Sequence, residues 1–419
     1  MGRYIVNGGR RLFGTARVQG SKNAALPILA ASVLCGGESV IDNCPDISDA
    51  ANTVDILRTL GARVEVSGGS VTVDAEGDIG SAVPPRLMEA MRSSVIFLGA
   101  LAARTGEADV VCPGGCELGP RPIDMHIDAL KRMGCEITEE RGHLRLSARH
   151  GLSGCEIELP YPSVGASENI ILAAVEAKGE TVIKNAAREP EICDLADYLK
   201  AAGADIEGAG SGTVYIRGVS SLKGPRHRIM PDRIAAATLL CAAAATGGEI
   251  MLKDVRPDDI RSVTGLLERA GCVTDIKENS VRLASCGRLR GAGLVETAPY
   301  PGFPTDAQAV LMAALCTAEG ESVIRETVFC GRFRHVDALR RMGADIEISG
   351  DRATVRGVGR LCGARMRCPD LRAGAALCIA ALAADGQSII EDTYHIDRGY
   401  ESFAGELAAL GADIKEERT

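Results

Sequence analysis

One pattern recurs six times along these 419 residues, and it limits the fold more than any single motif. A helix-like run ends in Leu-x-x-x-Gly, then Ala or Cys, then a short β-type run, as in LRTLGARVEV, LKRMGCEITE and LRRMGADIEI. The glycines are Gly61, Gly134, Gly203, Gly271, Gly343 and Gly411, spaced 73, 69, 68, 72 and 68 apart. Fixed self-similarity at such a period marks a fold built from equivalent units. A second pattern interleaves with it. Ala-rich apolar runs stop at Gly37, Gly106, Gly179, Gly248, Gly320 and Gly386, each followed by a polar residue and a β-type run such as ESVID, ETVIK or QSIIE. Each unit thus reads as apolar helix, strand, amphipathic helix, strand, strand, with glycine as the helix stop. A helix apolar on all sides is expected in the interior, and the amphipathic one outside it.

The termini are informative. The sixth unit breaks off after one strand at Lys415-Glu416-Glu417, while Tyr4-Ile5-Val6 and the segment to Gly14 supply strand-like sequence at the other end. The N-terminus is therefore expected to complete the sixth unit, which disfavours an open solenoid. This arrangement predicts an α/β protein of two domains, three units each. One domain spans 22–230 and the other combines 1–21 with 231–419.

Composition narrows the function. The most apolar windows, such as 235–246, are about 12 residues long, short of the roughly 20 that cross a bilayer. The net charge is −9 with no basic run, which argues against nucleic acid as a partner. An anionic substrate would then need a local cluster of cations. Fifteen Cys occur without a Cys-x-x-Cys pair, and the six His are scattered, so no metal site is expected. The opening Met-Gly-Arg-Tyr-Ile reads as a strand, not a secretory leader, and the expected compartment is the reducing cytoplasm.

The cations appear at equivalent places. The starts of the six apolar helices carry Lys22-Asn23, Arg92, Gly165, Asp232-Arg233, Thr305-Asp306 and Leu371-Arg372. A helix N-terminus disfavours a cation but binds anions through its free amides. Four basic residues at such ends make sense if the ends gather around phosphate or carboxylate groups. Asp306 admits two readings: an ordinary helix cap with Thr305, or a carboxylate held ionised among cations, as a general base must be. The segment Cys112-Pro113-Gly114-Gly115-Cys116-Glu117-Leu118-Gly119-Pro120-Arg121-Pro122 is too rich in Gly and Pro for a core element. Cys116 there, near cations, is a candidate acid or nucleophile. His126 and His335 lack a paired carboxylate motif, so core or surface positions are the default for both. The string Gly208-Ala209-Gly210-Ser211-Gly212 opens no helix and is not a dinucleotide fingerprint.

Taken together, Ser21-Lys22-Asn23-Ala24-Ala25-Leu26-Pro27, the Cys116 loop through Pro122, Ala186-Ala187-Arg188-Glu189-Pro190-Glu191, Pro231-Asp232-Arg233, Phe303-Pro304-Thr305-Asp306, Asp370-Leu371-Arg372 and His395-Ile396-Asp397-Arg398-Gly399-Tyr400 resemble the UDP-N-acetylglucosamine 1-carboxyvinyltransferases of the enolpyruvyl transferase family. The resemblance covers essentially the whole chain. It implies an inside-out α/β barrel of two domains with six βαβαββ-type repeats, and an active site in the cleft between the domains. It implies transfer of the enolpyruvyl group of phosphoenolpyruvate to the 3′-hydroxyl of UDP-N-acetylglucosamine, with phosphate released and no cofactor. By the same resemblance Cys116 is the acid, Asp306 accepts the hydroxyl proton, and Lys22, Asn23, Arg121 and Arg398 meet phosphoenolpyruvate. Arg92, Arg121, Pro122, Ile123, Asp124 and Met125, with Ser163, Val164 and Gly165, would hold the UDP-sugar, and Asp306 and Val328 its sugar. Arg233, Arg332 and Arg372 would add charge. A cysteine at 116 also implies sensitivity to fosfomycin. Two alternatives stay open. A shikimate 3-phosphate enolpyruvyl transferase would show Ser-Lys-Ser at 21–23 and lack the Cys loop. A non-catalytic UDP-sugar-binding regulator is hinted at only by departures from the family pattern at Cys330 and Ala235.

Overall fold

The computed structural model describes residues 2–111, 123–140, 142–285 and 287–418. Cys116, Arg121 and Pro122 lie outside the described residues. The chain divides into two compact units. One runs from Gly20 to Met230, and the other joins the residues through Gln19 to those from Pro231 onward.

In the unit from Gly20, three sheets carry one pattern. The strand Glu38–Asp42 pairs antiparallel with Ser70–Asp74, which pairs antiparallel with Arg63–Ser67, while Arg226–Arg228 joins the other edge in parallel. Glu180–Lys184 has the same neighbours in Thr213–Arg217, Asp205–Glu207 and the parallel Glu156–Glu158. Glu107–Val111 pairs with His143–Ser147, which pairs with Glu136–Glu140, and the parallel edge shrinks to a single bridge from Ala82 to Asp109. The first sheet therefore borrows its parallel strand from the last segment of the same unit.

The second unit repeats this with three further sheets. Its first sheet takes the parallel edge strand Phe13–Arg17 from the N-terminal segment, against Glu249–Lys253. Its last sheet takes Gly2–Asn7, which lies antiparallel between Gln387–Glu391 and Asp413–Arg418, with Tyr4 opposite both Ile390 and Glu416. The strand that the sixth repeat lacks at the C-terminus comes from the N-terminus.

The helices fall into the two kinds the patterns require. Lys22–Ala31, Val164–Ala174, Arg233–Ala245, Thr305–Leu315 and Leu371–Ala383 are buried along almost their whole length. At the sixth equivalent place, a 3₁₀ turn over Arg92–Ile96 leads into Phe97–Thr105. Each fully buried Leu or Ile here contributes about 2 kcal/mol. Small residues let these helices approach closely. A Cβ on Gly99 would sit 2.2 Å from the Asn169 carbonyl oxygen, so only glycine fits where the Phe97 and Val164 helices meet. The outer helices bury one stripe: Arg261–Arg269 covers Val263, Leu266 and Leu267 and exposes Arg261, Glu268 and Arg269.

All six glycines of the first pattern adopt left-handed φ between 96° and 109°, as a helix stop requires. The second set needs one correction. At Gly248 the left-handed residue is the preceding Gly247 (φ 65°), and Gly248 is demanded by space instead, since a Cβ there would lie 2.2 Å from the Leu12 carbonyl oxygen. Among the described residues no helix is long and apolar enough to cross a membrane.

Candidate active site

The residues singled out from the sequence fall into two groups, one in each unit. In the Gly20 unit, Lys22 is the first residue of its helix and is 8% exposed. The helix dipole opposes a cation there, and a carboxylate answers it. Asp49, in the first turn of the helix Ser48–Thr59, places Oδ2 2.6 Å from Lys22 Nζ. An anion in a first turn is where the dipole favours it, so the pair suits one helix end better than the other. Asn23 follows, half-buried. Arg92 opens the 3₁₀ turn, and Ile123, Asp124 and Met125 lead into the helix Asp124–Arg132. Ser163 caps the helix Val164–Ala174, its hydroxyl accepting from the Ala166 amide at 3.3 Å, with Gly165 in the first turn.

The same unit also buries a group of acids that feel one another's charge. Glu168, Glu189 and Glu191 are all buried. The Glu168 carboxyl is pushed well above the usual range, chiefly by burial, then by the charges of Glu191 and Glu189.

In the second unit Asp306 is the second residue of the helix Thr305–Leu315. The capping alternative is overturned. The position before the helix is Pro304, and Thr305 donates instead to Glu326 Oε2 at 2.9 Å. Asp306 turns to two arginines. Arg332 Nη2 donates to Oδ1 at 2.5 Å and Arg372 Nη2 to Oδ2 at 3.1 Å. Both arginine side chains are buried, at 4% and 5% exposure, while the aspartate side chain keeps 26%. Each arginine is held from behind. Arg332 Nε reaches the Thr305 carbonyl at 3.4 Å, and its guanidinium lies over the Phe329 ring. Arg372 Nη1 donates to the Tyr400 hydroxyl at 3.2 Å, and that hydroxyl shares a 2.8 Å bond with Thr238 Oγ1.

Val328 sits in a turn shaped by a residue the sequence reading passed over. Glu326, 5% exposed, accepts from Thr297 Oγ1, the Val328 amide and the Phe329 amide through one oxygen, and from Thr305 through the other. Asp232 and Asp370 cap the helices that begin with Arg233 and Leu371-Arg372. Arg233 packs its guanidinium over the Tyr300 ring. Arg398 ends the 3₁₀ turn Thr393–Arg398.

The two histidines lie inside their units. His126 is 7% and His335 0% exposed, and burial pushes each imidazole down to about 4. Arg92 adds to this at His126. At His335 Asp370 opposes it and Arg332 reinforces it.

A family model described as EPSP synthase (3-phosphoshikimate 1-carboxyvinyltransferase) matches residues 6–407, and the chain belongs to this family of carboxyvinyltransferases. Within it, the chain is 49% identical over 98% of its length to a protein named UDP-N-acetylglucosamine 1-carboxyvinyltransferase 1 from Symbiobacterium thermophilum, covering 94% of that protein. It is 47% identical to a UDP-N-acetylglucosamine 1-carboxyvinyltransferase from Xylella fastidiosa, with 99% of both chains covered. Among solved structures, the enolpyruvyl transferase NikO from Streptomyces tendae superposes with a TM-score of 0.89 at 29% identity, covering 100% of this chain and 99% of that one. An EPSP synthase from Acinetobacter baumannii shares the fold, with a TM-score of 0.76 at 20% identity and full coverage of both chains.

Proposed function

We propose that this protein transfers the enolpyruvyl group of phosphoenolpyruvate to the 3′-hydroxyl of UDP-N-acetylglucosamine, releasing phosphate. The observation that carries the reading is near-full-length identity of 44–49% to several proteins bearing that transferase name. In this reading each unit is an inside-out α/β barrel of three repeats, and residues of both groups act on the substrates.

The chemistry is addition followed by elimination. The sugar oxygen bonds to C2 of phosphoenolpyruvate while the methylene carbon gains a proton from Cys116. Loss of that proton then expels phosphate and restores the double bond. Asp306 takes the proton of the sugar hydroxyl. Its two oxygens are engaged by Arg332 and Arg372, so it gains basicity when one arginine turns to an anionic oxygen of the substrate. Lys22, Asn23, Arg121 and Arg398 hold phosphoenolpyruvate. Fixed cations orient such anions and balance charge as the intermediate forms. Arg92, Arg121 to Met125, and Ser163 to Gly165 hold the nucleotide, and Val328 the sugar. The product would feed peptidoglycan synthesis in the cytoplasm, and Cys116 would make the enzyme a fosfomycin target.

The test is phosphate release. Mixing phosphoenolpyruvate with UDP-N-acetylglucosamine should release phosphate, and replacing the sugar nucleotide by shikimate 3-phosphate should not. The reverse result would move the assignment to the other acceptor, and silence with both would leave a binding protein.

A further inference from the structure

Glu326 belongs to none of the motifs that carry the resemblance, yet four hydrogen bonds converge on it. It directly follows the strand Glu321–Arg325 and is 5% exposed. Oε1 accepts from Thr297 Oγ1 at 3.0 Å, the Val328 amide at 2.9 Å and the Phe329 amide at 3.1 Å. Oε2 accepts from Thr305 Oγ1 at 2.9 Å. A buried carboxylate is costly unless its acceptor positions are filled. Two successive amides in a turn can be met by a shorter Asp or Ser side chain. The turn alone therefore does not call for a glutamate; its length is what reaches Thr305.

The bonds close a circuit around Asp306. Thr305 precedes Asp306 at the start of the helix Thr305–Leu315. Its hydroxyl is held by Glu326, and its carbonyl accepts from Arg332 Nε at 3.4 Å. The Arg332 guanidinium lies over the ring of Phe329, whose amide Glu326 also holds. Arg332 Nη2 then donates to Asp306 Oδ1. The helix start and the turn, the two sides of the Arg332–Asp306 contact, are thus fixed to the two oxygens of one carboxylate. The anchor is braced from the neighbouring strand. Thr297, which donates to Glu326, accepts from the Thr327 amide at 2.9 Å, and its carbonyl accepts from the Thr327 hydroxyl at 2.5 Å. Arg372 reaches Asp306 from another helix and is held by Tyr400. Glu326 therefore fixes one guanidinium partner of Asp306 and not the other.

We propose that Glu326 is a positioning residue for Asp306: through Thr305 and the Phe329 amide it sets Arg332 against one oxygen of that carboxylate. The inference rests on the reading of Asp306 as acceptor of the sugar hydroxyl proton, and it deepens that reading. A base must face the hydroxyl at a set distance and angle, and a rigid frame behind it supplies both.

Phosphate release by the full-length protein, with phosphoenolpyruvate and UDP-N-acetylglucosamine each varied, tests this. Thr305→Val removes the arm from Glu326 to the helix start and nearly keeps the volume. It should lower kcat about tenfold, the scale of one hydrogen bond, and leave both KM values unchanged. Thr305→Ser restores the hydroxyl and should recover most of the loss. Glu326→Ala frees the helix start and the turn together and should lower kcat about 10²-fold, the scale of a 1 Å misplacement. Glu326→Gln keeps an acceptor oxygen for the amides and offers an NH2 to Thr305 Oγ1, so it should recover most of that. Should Glu326→Ala not fold, the two Thr305 variants carry the same test. In an Arg332→Met background Thr305→Val should add no further loss, because the contact it loosens is gone. An equal factor in both backgrounds marks a purely structural role and overturns the proposal, as does a wild-type kcat for Thr305→Val. A loss confined to the KM for UDP-N-acetylglucosamine ties Glu326 to Val328 alone and overturns it too. Absence of phosphate release from the wild type instead overturns the transferase reading, and this inference with it.

Discussion

Lys22 and Asp306 occupy equivalent places in different units, at the start of an apolar helix, and the two units handle the charge there in opposite ways. Lys22 meets the carboxylate of Asp49 at 2.6 Å, from the first turn of an outer helix. Asp306 is shared between two buried guanidiniums, one from the turn after Val328 and one from the start of another apolar helix. The first is a close pair of single charges, well placed for stability and for presenting a cation. The second divides a carboxylate between two donors that could each release it, which suits a group that must change its proton.

The largest effect should come from removing that carboxylate's chemistry. Asp306→Asn keeps the shape but only one of the two arginine bonds, because its NH2 cannot accept from the other guanidinium; it should cost about 1–3 kcal/mol of stability, while turnover falls about 10³-fold, the scale of a lost general base. Phosphate release at saturating substrate reads this directly. A variant within a few-fold of wild type would show that Asp306 only positions the sugar.

The Lys22–Asp49 pair should break differently. Asp49→Ala strips a buried ammonium of a close partner and should cost about 3 kcal/mol in urea unfolding. Lys22→Met combined with Asp49→Leu should regain much of that stability, because apolar residues often replace a buried pair without loss. Activity should stay absent in the double variant. If activity returns with stability, Lys22 is a scaffold residue and the contrast between the two units disappears.

The histidines test whether the units respond alike to pH. Burial depresses both imidazoles from an ordinary 6.5 to about 4. The unfolded chain then takes up protons below pH 6.5 that the folded protein refuses until about pH 4. Stability should fall as pH drops through that window, by about 1.4 kcal/mol per pH unit for each histidine. Urea unfolding at pH 7 and pH 5 should show a shallower slope for His335→Leu than for wild type. An unchanged slope would mean that His335 is protonated inside the fold.

What could be read from the sequence follows from which interactions are local. The Leu-x-x-x-Gly stops were legible because a left-handed residue after a helix is set by its immediate neighbours. The Asn43, Asn185, Asp254 and Asp392 positions, left-handed at the ends of equivalent strands, carried a similar local signal that went unread. The N-terminal strand was legible because the last repeat lacked one. At Gly248 the local rule failed, since the close approach of Leu12 comes from far along the chain. Within the site, Asp306, Arg332 and Arg372 stood out through motif and repeat position. Asp49, Glu326 and the bond from Asn169 to His126, 43 residues apart, did not. Their roles depend on partners that only the packing of helices and sheets brings near, and no spacing in the sequence encodes them.

Tyr400 offers the finest test of the contrast, because it stands behind only one of the two arginines that hold Asp306. Its hydroxyl accepts from Arg372 and bonds to Thr238, all within a buried path. Tyr400→Phe removes one oxygen and leaves the ring packed against Phe403. The lost bonds should cost about 1–2 kcal/mol, since Arg372 and Thr238 both lose a buried partner, although Thr238 keeps its bond to the Ile234 carbonyl. With Arg372 free to shift, Asp306 leans on Arg332 alone, and turnover should fall several-fold while the KM for UDP-N-acetylglucosamine moves little. If Asp306 works as a carboxylate poised between two releasable donors, Arg332→Lys should then hurt more in the Tyr400→Phe background than in wild type. Strict additivity of the two substitutions would show that the arginines act independently, and that the shared carboxylate is a matter of packing and not of catalysis.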